Sequence, residues 1–273
     1  MDTRADIELA LLLEGIFRQY GFDFRNYAPA SLKRRIQQCR QAEQLGTISA
    51  LQEKVLHDPA CFERLLLILS IHVTAMFRDP GFSRVFRQEI VPYLRTYPFI
   101  RVWHAGCATG EEVYSMAILL EEEHLYDRTR LYATDFNQAI LQRAKSGVFP
   151  LAVMREYTDN YIQAGGTRSF SDYYTAGYDH VIFQSALQRN IVWAQHNLAT
   201  DDSFNEFHVI LCRNTMIYFN KDLQDRAHRL FHKSLMPSGF LGLGDKESLR
   251  LTPYETAYKL VDPREKWYRK IHA

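Results

Sequence analysis

The sequence has no excess of either charge: 33 Lys and Arg stand against 32 Asp and Glu in 273 residues, a formal charge of +1. No global field therefore draws the chain to nucleic acid or to an anionic membrane surface, and any electrostatic recognition has to be local. Cysteine is scarce. Cys39, Cys61, Cys107 and Cys212 lie far apart, with no CxxC and no Cys/His cluster at metal-ligand spacing, so no metal site is expected and the thiols read as reduced, in a cytoplasm. Long apolar runs are missing as well: LLLILSI at 65–71 falls far short of a membrane span. The opening MDTRADIELALLLEGIF carries acidic residues on both sides of a short apolar run and no cleavage-type site, unlike a signal peptide. Internal repeats and low-complexity segments are absent. The expectation is a cytoplasmic protein with no nucleic-acid partner and no membrane insertion, monomeric by default.

What is present is enough apolar material, 47% hydrophobic and 13% aromatic residues, to bury a sizeable core in one large domain or two. The first eighty or so residues read as helices. Leu9, Leu12, Leu13, Ile16 and Phe17 mark one amphipathic face. Leu32, Ile36 and Cys39 mark a second, whose other side carries Lys33, Arg34, Arg35 and Arg40, and Asp58-Pro59 opens a third. From Phe99 short apolar runs alternate with amphipathic segments, the pattern of a parallel sheet with helices on both faces. Asp135 or Asn137 can cap the helix that follows the second strand, and Gly147 can close it. The stretch from Tyr173 to Asn197 has period two and reads as a small antiparallel insertion. The last twenty residues, with FLGLG, read as a closing hairpin.

The stretch VWHAGCATGEEVYSMAILL at 102–120 is a strand, a glycine turn and a helix. In doubly wound sheets, ligands sit outside the carboxyl ends of the strands, where glycines let backbone approach closely. Here, however, Gly106 and Gly110 do not make the G-x-G-x-x-G dinucleotide signature, and Glu111-Glu112 would repel a pyrophosphate at that helix start. A cationic ligand fits better, although two glutamates there also complement the helix dipole. Asp135 ends the next strand, where an acidic residue accepts from ribose hydroxyls or caps a helix. A ribose acceptor beside a glutamate placed for an ammonium group suggests a nucleoside carrying an amino acid, S-adenosylmethionine. Three further stretches stand out. In HVTAMFRDPGF, Thr74 and Arg78 lie one helical turn apart and could share a face, or belong to a linker. HNL at 196–198 ends a period-two run, where Asn is a turn residue or an adenine neighbour. VILCRNTMIYF is a buried strand ending in Arg213-Asn214, with Tyr218 shortly after.

Taken in order, VTAMFRDPGF, VWHAGCATGEEVYSMAILL, LYATDFNQAILQRAKSGVF, HNL and VILCRNTMIYFN resemble the chemotaxis receptor glutamate methyltransferases, the CheR family, over nearly the whole chain. The resemblance implies an α/β fold: a Rossmann-like S-adenosylmethionine-dependent methyltransferase domain at 99–273, with a small antiparallel β-subdomain inserted at about 170–197. A linker helix at 76–98 and an all-helical receptor-engaging domain at 1–75 would precede it. The implied reaction moves a methyl group from S-adenosylmethionine to the side-chain carboxylate of receptor glutamates. Matching positions put His72, Thr74 and Arg78 around the cofactor's amino-acid end with Glu112 nearby; Glu111 then reads as the helix cap. They put Asp135 on the ribose, Asn197 and Leu198 beside the adenine, Cys212 and Arg213 in the pocket wall, and Tyr218 beside the departing methyl. The family's Asn before Val/Leu-Thr is His72 here. Arg78 and Tyr218 are the catalytic candidates, and both being intact argues against the alternative, a non-catalytic sensor or scaffold.

The implied partner is the cytoplasmic helical bundle of a chemoreceptor. The basic face formed by Lys33, Arg34, Arg35 and Arg40 reads either as solvated surface or, as in the family, as the docking face for glutamate-rich receptor segments. Members that tether themselves to a pentapeptide at the receptor's C-terminus carry a longer glycine-containing loop in the β-subdomain. TAGYDH at 175–180 is shorter and lacks a second glycine, so a tether-independent enzyme is expected.

Overall fold

The computed structural model describes residues 3–69 and 74–271, which fall into two compact units. The first holds four helices, α1 (Arg4–Tyr20), α2 (Pro29–Ala42), α3 (Ile48–His57) and α4 (Pro59–Leu69), together with the distant segment Tyr218–Arg226. Local chemistry sets the helix ends. Thr3 and Asp6 form a reciprocal capping box on α1, left-handed Gly21 closes it, Pro29 opens α2, and the Thr47 hydroxyl accepts from Ala50 N at 3.0 Å to start α3. The α1 and α2 stripes are buried as the spacing predicts, except for Phe17, which is half-buried. Helix α3 is an addition to the three expected: ten residues long, it buries Ile48, Leu51 and Val55 at helical spacing.

The second unit contains, in chain order, α5 (Pro80–Val85), α6 (Val91–Leu94), β1 (Ile100–Ala105), α7 (Glu111–Glu122), β2 (Thr129–Asp135), α8 (Gln138–Ser146), β3 (Val148–Pro150), α9 (Met154–Gln163), β4 (Tyr174–Ala176), β5 (His180–Phe183), β6 (Ile191–Gln195), β7 (Phe207–Cys212), α10 (Lys221–Ser234, in this unit from Ala227), β8 (Leu235–Leu243), β9 (Tyr258–Asp262) and β10 (Trp267–Lys270). The main sheet runs β6-β2-β1-β7-β8-β10-β9. Its first five strands are parallel, and the expected terminal hairpin β9–β10 closes it antiparallel. Strand β7, FHVILC, is buried throughout, as a central parallel strand must be.

The small antiparallel sheet exists but is built differently from the expectation. Its order is β3-β5-β4, and β6 instead pairs in parallel with β2 in the main sheet. At the edge of the large sheet, β6 leaves Val192 and Gln195 exposed, unlike a parallel strand covered on both faces. Strand β3 is three residues ending in Pro150, too short to carry a period.

Glu122, at the end of α7 with its side chain fully covered, ties this unit together. Its carboxylate accepts from the Arg87 guanidinium, the Tyr161 hydroxyl, Thr167 N at 2.9 Å and Oγ1 at 3.0 Å, and the Tyr173 hydroxyl at 3.1 Å. Deleting one member of a buried, hydrogen-bonded ion pair strands the others. Glu122→Ala should therefore lower unfolding free energy by about 3–5 kcal/mol in a urea titration; a loss under about 1 kcal/mol would mean that solvent replaces the network.

Candidate active site

The carboxyl ends of β2, β1 and β7 meet where the strand order reverses, the place at which open parallel sheets take ligands. Leaving β1, the chain turns sharply: Gly106 N and Cys107 N both donate to Thr134 O (2.8 and 2.9 Å), and Gly106, Ala108 and Gly110 all have positive φ (78°, 48° and 92°). A Cβ on Gly106 would also lie 2.8 Å from Thr215 Oγ1, so side-chain space as well as φ demands glycine there.

Two carboxylates flank this turn in opposite electrostatic states. Asp135, at the end of β2, is buried and accepts from Ala108 N (3.1 Å) and Asn137 N (3.0 Å). Burial pushes its pKa up to about 6 against the pull of those amides. Glu112, in the first turn of α7, is also subject to burial. His104 Nδ1 at 3.0 Å and the Arg213 guanidinium (Nη1–Oε2 3.1 Å) outweigh that penalty and hold its pKa below the ordinary value. Neighbouring Glu111 turns inward, where its carboxylate takes the Thr109 hydroxyl at 2.6 Å; burial raises its pKa, and Gly110 occupies the cap position.

Arg213 sits at the centre. Its side chain is only 6% exposed, Nη2 reaches Asp79 Oδ2 at 2.6 Å, and the guanidinium lies 3.9 Å over the Phe82 ring. Phe82 in turn stacks on Trp267 of β10 at 4.3 Å. The loop that bears Arg213 is pinned by Glu247, whose buried carboxylate accepts four backbone amides: Asn214 and Thr215 (2.9 Å each), Met216 (2.7 Å) and Gly244 (2.8 Å). Phe77, Asp79, Ala108 and Asn214, all non-glycine, have positive φ. Left-handed backbone costs about 1–3 kcal/mol per residue and collects where surrounding structure enforces it. Beside Arg213 a cavity of about 310 Å³ is lined by Asp79, Phe82, Leu243, Asp245 and Glu265 among others.

Residues 7–69 match the family model described as "CheR methyltransferase, all-alpha domain", and residues 72–263 match "CheR methyltransferase, SAM binding domain". The chain belongs to the CheR methyltransferase family. A Pseudomonas putida protein named "Putative methyltransferase Cher3" is 52% identical over 98% of both chains. The Listeria innocua protein named "Chemotaxis protein methyltransferase" is 28% identical over 85% of this chain and 86% of its own. The Salmonella typhimurium protein of the same name is 28% identical over 70% and 65%. This is thus an S-adenosylmethionine-dependent methyltransferase of the chemotaxis protein methyltransferase family, with the Rossmann-like sheet and small antiparallel sheet that the sequence implies. No helix among the described residues is long and apolar enough to cross a membrane.

Within this CheR-family chain, Glu112 and Arg213 are brought together, and Arg78 meets Arg213 through its backbone, its carbonyl oxygen lying 3.4 Å from both Nη atoms. Asp135 and buried Cys212 stand at the ends of β2 and β7. Asn197 holds a turn, its side chain accepting from Ala199 N at 2.9 Å, and Leu198 is buried. His72 lies outside the described residues. Thr74 and Arg78 do not share a helical face: 74–79 is a turn in which Ser115 Oγ accepts from Phe77 N (2.9 Å) and Asp79 precedes a proline, which disfavours helix. Tyr218 belongs to the first unit. On α2, Lys33 pairs with Asp6, Arg35 donates to the end of α4, and Arg40 donates to the carbonyls of Leu45 and Gly46 (2.9 Å each); Arg34 is exposed. Sequence reasoning passed over His104, Asp79 and Glu247. A histidine inside an apolar strand and an acidic residue just beyond one were the available signals.

The chemistry suits a cationic nucleoside. A glycine turn allows backbone approach, an ionised glutamate faces a positive group, and a buried aspartate offers acceptors to hydroxyls. Asp135 also marks stability. Its folded pKa of about 6 exceeds the ordinary value of about 3.9, so its contribution is full below about pH 4 and is lost as pH rises through about 6. The unfolding free energy of Asp135→Asn minus that of wild type should therefore grow between pH 4 and 6.5 and level off above. A difference independent of pH would contradict the raised pKa.

Proposed function

We propose that the chain is a protein-glutamate O-methyltransferase acting on the cytoplasmic helical bundle of a chemoreceptor. The observation that supports this most is the placement of Glu112, bonded to His104 and Arg213, and of buried Asp135, which accepts from Ala108 and Asn137 amides, on either side of the glycine turn. When bound, S-adenosylmethionine supplies an electrophilic methyl on a sulfonium centre. The accepting glutamate, with an ordinary pKa of about 4.3, is already ionised near neutral pH. No side chain of this protein need remove a proton for that attack.

The work of the chain is alignment and exclusion of water, and orientation alone supplies up to about 7–11 kcal/mol in favourable cases. In this reading Glu112 meets the cofactor's ammonium group with His72, Thr74 and Arg78 near the same end. Asp135 takes the ribose hydroxyls, Asn197 and Leu198 border the adenine, and Cys212 and Arg213 form the wall. Arg78 steers the substrate carboxylate and Tyr218 orients it through its hydroxyl. Arg34, with Lys33 beside it, gives α2 a basic surface for glutamate-rich receptor segments. The turn joining β4 to β5 is only 177–179, closed by Gly177 N to His180 O at 2.7 Å. So short a turn accords with docking that needs no C-terminal receptor tether.

Methyl-labelled S-adenosylmethionine and membranes carrying the cognate receptor should yield base-labile methyl ester on receptor glutamates, at the same rate when the receptor's last five residues are removed. No labile ester on any receptor of the source organism would overturn the reading. Loss of labelling with the truncated receptor would overturn tether independence alone.

A further inference from the structure

Tyr218 is held by the first unit, at its backbone and at its ring. Ala28 N donates to Tyr218 O at 2.7 Å and Asn220 N donates to Asn26 O at 2.8 Å, so 218–220 lies antiparallel to the loop that leads into α2. The side chains repeat the pairing: the rings of Tyr27 and Phe219 meet edge to face at 5.0 Å, and Asn220 Nδ2 donates to Asn26 Oδ1 at 3.1 Å. The ring of Tyr218 is met from α2 by Arg35, whose guanidinium carbon lies 5.7 Å from the ring centroid. That guanidinium is itself fixed, since Nη1 donates to Ile68 O at 2.7 Å and to Leu69 O at 3.4 Å, the last carbonyls of α4, and Nε approaches Ser31 Oγ at 3.4 Å.

We propose that Arg35 is a positioning residue for Tyr218, acting on turnover and not on receptor docking. A guanidinium within about 6 Å of an aromatic face attracts it, and its planar fork loses little freedom when its hydrogen bonds are already made. Arg35 therefore transfers the rigidity of the α2–α4 packing to the Tyr218 ring, while the Ala28 amide sets the backbone beneath it. This separates Arg35 from its neighbour Arg34, which is exposed and suited to meet a partner. The inference rests on the carboxylate methyltransferase reading, in which Tyr218 orients the accepting group.

Ala28→Pro tests the backbone half with no change of charge. Ala28 has φ −59°, which proline adopts at about −65°, but the substitution removes the N–H that Tyr218 O accepts and puts a ring carbon in its place. Arg35→Gln tests the ring half. With full-length protein and labelled cofactor, each variant should lower kcat tenfold or more, while the receptor KM and the calorimetric Kd for S-adenosylhomocysteine stay within twofold of wild type. In a Tyr218→Ala background, adding Arg35→Gln should change kcat less than twofold, because the residue through which Arg35 acts is gone. Multiplicative losses in the double variant, a change confined to KM, or a kcat within twofold of wild type would overturn the inference. If Arg35→Gln fails to fold, Ala28→Pro decides by the same readouts. A wild-type chain that transfers no methyl to any receptor would overturn the underlying reading and this inference together, whereas an active wild type with multiplicative losses overturns the inference alone.

Discussion

The bridging of two carboxylates by the buried Arg213 guanidinium is the interaction on which the carboxyl edge of the sheet depends. Asp79, after the turn that follows the first unit, and Glu112, at the start of α7, come from segments with no hydrogen-bonded ladder between them, and Arg213 joins both. Without it, two acids would face each other across a partly desolvated space, where an unpaired charge is costly. The cation is supported from beneath by Phe82 and Trp267, and its loop is supported from behind by Glu247 with four backbone amides. The left-handed Asp79 and Asn214 flank these contacts, so the strain sits next to the bonds that offset it.

This arrangement leaves two carboxylates in different electrostatic states on either side of one short turn. His104 and Arg213 hold the Glu112 pKa below its ordinary value, whereas burial pushes that of Asp135, which has only amide donors to oppose it, up to about 6. Environments that push neighbouring acids apart in pKa are how a site assigns separate roles to the same functional group. A fixed negative charge suits an ammonium group, and a hydrogen-bond acceptor suits neutral hydroxyls.

Much of this was legible because it is local. The strand, glycine turn and helix at 102–120 announce themselves through apolar spacing and two glycines whose positive φ the structure requires. Asp135 could be placed because it ends an apolar run, and Asn137 and Gly147 prove to be the caps of α8. What could not be read depends on pairing across long stretches of chain. Strand β6 lies within the stretch read as an antiparallel insertion, yet its partner is β2, some sixty residues earlier. Tyr218 lies just beyond β7 in sequence, yet it joins a helical unit whose loop is about 190 residues away. The basic stripe on α2 looks uniform in sequence, but Lys33, Arg35 and Arg40 are engaged within the chain, which periodicity cannot reveal.

The central claim is that Glu112 is held ionised to receive the positive charge of S-adenosylmethionine's amino-acid end. The most direct measurement is calorimetric titration of S-adenosylhomocysteine, which carries the same ammonium group, into Glu112→Gln. The substitution keeps the side chain's shape and removes its charge, and hydrogen bonds to charged groups are worth about 1.5–3 kcal/mol. The account predicts an affinity at least tenfold weaker than wild type in a variant whose thermal unfolding remains cooperative. An unchanged affinity in such a folded variant would contradict it.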